Sequence, residues 1–156
     1  MNKGERISRF VQSLEADGPK AAGTTIAAHP YYRAFFQCWN EQRYYEAHDV
    51  LEQVWLHDPI TPEDAQYFKG LIQAAGAFVH LRKQFEHPTH PKHGKRLGPA
   101  VRLFRLAEKN LAAFGPERHD LDLDRFREML SRYRNDVESN GTNPWKPDAA
   151  PKVSLL

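Results

Sequence analysis

The chain has 156 residues, 40% hydrophobic and 27% charged, with a formal net charge of +2, which is one domain's worth of chain with enough apolar content for a core. Its single cysteine, Cys38, excludes an intrachain disulfide and fits a reducing compartment. No long uncharged apolar run is present, which excludes a membrane-spanning helix and a membrane partner, and Met1–Arg6 lacks the apolar region of a signal peptide, so the cytoplasm is the expected location.

In chain order, Glu5 to Ala16 carries Ile7, Phe10, Val11 and Leu14 at helical spacing, stopped by Asp17-Gly18-Pro19. Lys20 to Ala28 reads as a loop, so 1–28 forms an N-terminal helix and loop. His29-Pro30 opens a second helix with Tyr32, Phe35, Phe36 and Trp39 on one side. After a break at Asn40–Arg43 a third helix runs from about Tyr44 to His57. Thr61-Pro62-Glu63-Asp64 combines a threonine cap, a first-position proline and first-turn acids, and opens a long helix to about Phe85. His87-Pro88-Thr89-His90-Pro91 ends it. A further helix is expected from Gly98 to Ala113, and Asp122 or Asp124 caps a last one carrying Phe126, Met129, Leu130, Tyr133 and Val137. The helical core domain therefore spans 29–138, and 139–156 reads as an extended or disordered tail. No segment alternates like a strand and no fixed-period repeat occurs. The expected fold is all-α, a bundle of about five to six helices, with the 44–57 helix antiparallel on the long helix that follows.

Charge is unevenly placed. Acids dominate 41–64 and bases dominate 82–105, a pattern expected of two faces that meet within the fold. The alternative is an anionic-ligand or nucleic-acid face formed by Lys95, Arg96, Arg102 and Arg105, although only Phe104 supplies an interleaved aromatic. His87, His90 and His93 lie in a proline-stiffened connector first and a metal-binding cluster second.

The 44–57 helix carries the main anomaly. Ala47, Val50, Leu51, Val54 and Trp55 make one apolar sector, and His48 falls at its edge with Glu52 one turn on and about 40° further round. On the long helix Phe68, Leu71, Ile72, Ala75, Phe78 and Val79 make a broad apolar face. Gln73 and His80 lie opposite, with Gly76 and Ala77 between them, a run of small residues that lets another helix backbone come close. If the neighbour is the 44–57 helix, His48, Glu52, Gln73 and His80 form one cluster. Asp49 and Glu46 read as a solvated face, and Trp55 as core.

The blocks Tyr-Tyr-Glu-Ala-His-Asp-x-Leu-Glu-x-x-Trp (Tyr44 to Trp55) and Lys-Gly-Leu-Ile-Gln-Ala-Ala-x-Ala-x-x-His (Lys69 to His80), in this order, resemble those of the bacterial, archaeal and plastid "domain of unknown function 309" family. The resemblance covers roughly Phe35 to Leu111. It implies a small all-helical domain and brings no biochemical activity. By resemblance Glu46, His48, Glu52 and Trp55 match the first block, with Asp49 in place of a glutamate, and Gly70, Gln73 and His80 match the second. Lys83-Gln84-Phe85 and the His-Pro segment stand where the family often has Gly-Asn.

Three functional readings follow. The first is a polar pocket lined by His48, Asp49, Glu52, Trp55, Gln73 and His80 that binds a small polar ligand or partner segment, chemistry that extends to hydrolysis or proton transfer. The second is a non-enzymatic protein or nucleic-acid interaction module in which the cluster only fixes helix register. The third is a divalent-metal site of His48, Glu52 and His80. Tyr31, Tyr32 and Trp145, read as exposed, are the motive for a homo-oligomer. Glycine-rich phosphate loops, nucleophile elbows and paired-cysteine zinc motifs are absent.

Overall fold

A computed structural model describes residues 25–57 and 59–156. Among them are five α-helices: α1 (Pro30–Asn40), α2 (Tyr44–His57), α3 (Pro62–Glu86), α4 (Leu97–Leu111) and α5 (Leu123–Asn140). The expected all-α class is what is found; the helix expected over Glu5–Ala16 lies outside the described residues.

The boundaries follow local chemistry. The Thr61 hydroxyl accepts from the Asp64 amide with Pro62 at the first position of α3, and Asp122 accepts from the Arg125 amide at the start of α5. The His29 ring does the same for α1, accepting from the Tyr31 amide. One feature departs from the sequence expectation. Glu117–Arg118 (β1) and Leu121–Asp122 (β2) pair as a minimal antiparallel hairpin. Its turn residues, His119 and Asp120, have φ of 47° and 65°, as a two-residue type I′ turn demands. Strands of two residues leave no alternation to detect, and His-Asp is not the usual composition for such a turn.

α2 lies antiparallel on α3: Tyr44 at its start meets Phe78 with ring centroids 5.5 Å apart, while Trp55 near its end stacks on Phe68 at 5.8 Å. Fully buried Trp39 sits at the centre, 4.9 Å from Phe78 and 5.4 Å from Phe126. The opposite side of α3 receives α4. A Cβ at Gly70 would lie 2.7 Å from the Leu111 side chain, and one at Gly76 3.0 Å from Leu103. As α3 ascends its partners on α4 descend, so these helices are also antiparallel, and glycine permits the close approach despite costing a helix about 1 kcal/mol relative to alanine.

Residues 139–156, read from composition as an extended or disordered tail, are laid along the core. The Asn143 side chain donates to the Leu81 carbonyl, the Trp145 indole to the Tyr44 hydroxyl and the Trp39 indole to the Pro151 carbonyl. The Asn40 amide bonds both backbone groups of Val153 at 2.7 Å. Trp145, Tyr31 and Tyr32 are all buried, which corrects the expectation that they are exposed and removes that motive for self-association. Tyr32 packs against Phe36, Tyr67 and Phe68, on the apolar side that the spacing of its helix gives it, while Trp145, in a segment without period, packs against Tyr44 and Phe85. No described helix is long and apolar enough to cross a membrane.

Candidate functional site

Along α2, Ala47, Val50, Leu51 and Val54 are buried, which leaves His48, Asp49 and Glu52 at the margin of the packed face. His48 Nε2 lies 3.2 Å from Glu52 Oε1, and its Nδ1 lies 4.0 Å from Asp49 Oδ1. The three side chains retain 38%, 30% and 42% of their exposure. One ligand atom from each falls within 4.8 Å of the others, because Glu52 stands four residues after His48 and three after Asp49 and so lies within reach of both on one helix face. One imidazole and two carboxylates at a half-open surface offer mixed nitrogen and oxygen ligands, or a clamp of acceptors for a cationic or hydroxyl-bearing group. Glu46, expected beside Asp49 on a solvated face, is instead buried. Four residues before buried Val50, it lies only about 40° from it round the helix, on the packed side.

Glu52 and Trp55 also line a cleft of about 480 Å³ between α2 and α3, completed by Pro59, Ile60, Ala65, Lys69 and Ile72. Its surface is mainly apolar, with one carboxylate and one ammonium among its walls. Trp55 is half-buried there, stacked on Phe68.

Gln73 and His80 are not brought to this place. The Asn110 amide donates to Gln73 Oε1 at 2.7 Å, and Arg96 donates to His80 Nδ1 at 3.0 Å. The small-residue stripe between Gln73 and His80 does admit a neighbouring helix, but that helix is α4 rather than α2. The combination His48, Glu52 and His80 is therefore divided, while Asp49 joins His48 and Glu52 instead. Burial, with the nearby charges of Arg96 and Arg102, depresses the His80 pKa and favours the neutral ring that accepts from Arg96.

Arg96 also donates to His93 Nδ1 at 2.8 Å, and His90 Nδ1 accepts from the amides of Lys92 and His93. The His90 ring thus braces the backbone of the connector, and His93 ties it to Arg96. Of the expected basic face, Arg96 is engaged in this way and Arg105 pairs with Glu138 at 2.5 Å, whereas Lys95 and Arg102 are exposed. Arg82 is held by the Gln42 carbonyl. Cys38 is buried, and burial pushes its thiol up to about 12, so it is not a ready nucleophile.

A second polar group was not legible in the sequence. Buried Asp64 receives Arg118 at 2.7 Å and His119 at 2.6 Å on the same Oδ1. Beside it the Tyr32 and Tyr67 hydroxyls share a 2.7 Å hydrogen bond, with the His119 carbonyl 3.0 Å from Tyr32 and the Arg118 carbonyl 3.3 Å from Tyr67, so one hydroxyl donates to the other, which donates to its carbonyl. Burial opposes ionisation of Asp64, but hydrogen bonds and charge from His119 and Arg118 prevail and hold its carboxyl below the usual range. Burial pushes both tyrosine hydroxyls far up. In the sequence Asp64 looked like an ordinary first-turn acid, and its partners come from the undetected hairpin.

The class these features define is a small helical domain with one open His–carboxylate face and one closed ion-pair network. Residues 32–88 match the family described as "Domain of unknown function (DUF309)", so the resemblance noted from the sequence holds over that segment. No curated protein and no solved structure matches the chain.

Proposed function

We propose that the protein binds a small amphipathic molecule in the α2–α3 cleft, with the ligand's polar end at the His48–Asp49–Glu52 rim. The observation that carries this reading is the double position of Glu52, which belongs both to the polar trio and to the wall of a 480 Å³ cleft. Trp55, Ile60, Ala65 and Ile72 give an apolar floor, as small-molecule sites commonly have, with a few polar groups to orient the guest. Glu52 and Lys69 favour a ligand bearing both an amine or hydroxyl and an acid group. The test is an NMR titration of the full chain with leucine, phenylalanine and the corresponding amines and acids. Shifts at Trp55, Ala65 and Ile72 that vanish in Glu52→Gln and Lys69→Ala are expected. No response, or the same response in both variants, defeats the reading.

A divalent cation is the second reading, favoured by the convergence of three ligand atoms within 4.8 Å. Ligands from neighbouring turns of one helix leave the remaining coordination positions to water or to the guest in the cleft. Calorimetric titration of untagged protein with Zn²⁺ and Mn²⁺ distinguishes this set from the one expected from sequence. Binding lost in His48→Ala and Asp49→Ala but kept in His80→Ala supports it, and binding unaffected by His48→Ala refutes it.

A further inference from the structure

A second hollow, about 620 Å³, lies between α5 and the extended segment 151–156. It shares no lining residue with the α2–α3 cleft. Leu121, Phe126 and Met129, all buried or nearly so, form its floor, and Arg125, Arg132 and Lys152 stand exposed around it. Among the described residues no ion pair engages any of these three cations. The lining holds two acids, Asp122, whose carboxylate also caps α5, and Glu128, so three cations face two carboxylates and the excess charge is positive.

The backbone of the segment adds a second, independent indication. Pro151 and Val153 turn their carbonyls, and Val153 its amide, toward Trp39 and Asn40. In extended chain the hydrogen-bonding direction alternates with a period of two, so Lys152 and Ser154 present their backbone groups to the opposite side. At that side the Leu156 amide donates to the Asp120 carbonyl at 2.7 Å. Among the described residues the amides and carbonyls of Lys152 and Ser154 have no protein partner. The groove is thus bounded by a short unpaired strand edge, an apolar floor and an excess of cations that no ion pair engages among the described residues.

We propose that this groove takes an extended acidic peptide segment. Its backbone pairs with Lys152 and Ser154, its carboxylates approach Arg125, Arg132 and Lys152, and one apolar side chain lies over Phe126 and Met129. Strand addition of this kind draws affinity from main-chain hydrogen bonds and selectivity from alternate side chains, and charge complementarity sets the sign of the partner.

The test is fluorescence anisotropy of the full chain with a labelled peptide alternating Asp or Glu with Leu or Val. Its backbone N-methylated twin, a lysine-for-acid counterpart and octanoate complete the set. Saturable binding of the acidic peptide is expected, about tenfold weaker for Arg125→Glu and Arg132→Glu and for the N-methylated twin. Both arginines are exposed on α5, so an unchanged melting temperature verifies that the variants fold. Glu52→Gln, in the other cleft, leaves the binding unchanged. The proposal is overturned if the acidic peptide does not saturate below about 1 mM. It is equally overturned if the N-methylated or lysine peptide binds as well, or if octanoate binds as tightly, which would reassign the groove to small amphipathic anions.

Discussion

Asp64 and Glu52 meet their partners in opposite ways. One oxygen of Asp64 is enclosed by an arginine and a histidine that sit on a hairpin more than fifty residues further along the chain. Glu52 faces a histidine of its own helix and looks into a cleft. A carboxylate that has been largely desolvated and paired with two cationic side chains contributes to holding the fold and has little capacity left for a guest. One that is two-fifths exposed contributes little to stability and keeps lone pairs available. The same side-chain chemistry is divided between two tasks by burial and by the sequence distance of the partner.

The widest gap between the two groups should appear in unfolding. Asp64→Ala leaves Arg118 and His119 half-buried without their acceptor and is expected to cost about 2–4 kcal/mol in urea denaturation, whereas His48→Ala should change stability by no more than about 0.5 kcal/mol. Equal costs would erase the distinction between closed and open clusters.

Acid sharpens it next. The Asp64 carboxyl is lowered in the folded state, so its contribution is complete above the unfolded value of about 4 and fades as pH falls through the folded one. The His80 pKa is also lowered, but for a base this means that the unfolded chain takes up a proton first. Stability therefore begins to fall below about pH 6.5 and continues to do so down to the folded pKa. Urea midpoints measured from pH 7 to 3 should lose the upper part of this decline in His80→Gln and the lower part in Asp64→Asn. Superimposable profiles would contradict both assignments.

A smaller effect is expected for Gln73→Ala, about 1 kcal/mol, with most of it shared with Asn110 in a double-mutant cycle. Additive single and double variants would mean that the 2.7 Å contact contributes nothing. Smallest of all is Lys69→Ala, within about 0.5 kcal/mol on stability, with its consequence confined to ligand titrations. A large loss of stability would move Lys69 from the open group to the closed one.

Much of the architecture was legible because it is written in local chemistry. Thr61-Pro62 and Asp122 mark helix starts that the hydroxyl and carboxylate caps reproduce, and the apolar period of α2 and α3 gives the faces that meet. What period cannot supply is the identity of the partner. The stripe from Gly70 to His80 admits a helix, yet nothing in it distinguishes α2, its neighbour in sequence, from α4. The phase of α2 placed His48 and Glu52 at the packed margin, and Asp49 stood with them in the expected pocket lining, though not in the expected metal set. Asp64 was beyond reach for a different reason, since its acceptor role depends on a hairpin whose two turn residues adopt positive φ without glycine or asparagine.

The docked C-terminal segment has a consequence for the order of events when the chain is made. The Trp39 indole and the Asn40 amide find their acceptors on Pro151 and Val153, at sequence separations of 112 and 113, and Tyr44 waits for Trp145. Emerging from the ribosome, α1 and α2 would therefore stay incompletely satisfied until residues 145–153 had also emerged. Contacts of such range slow folding because the loop must close before they reward it. A nascent chain arrested after Asn140 would hold its helices as a loosened, protease-sensitive assembly, and residues 145–153 would act as the clasp.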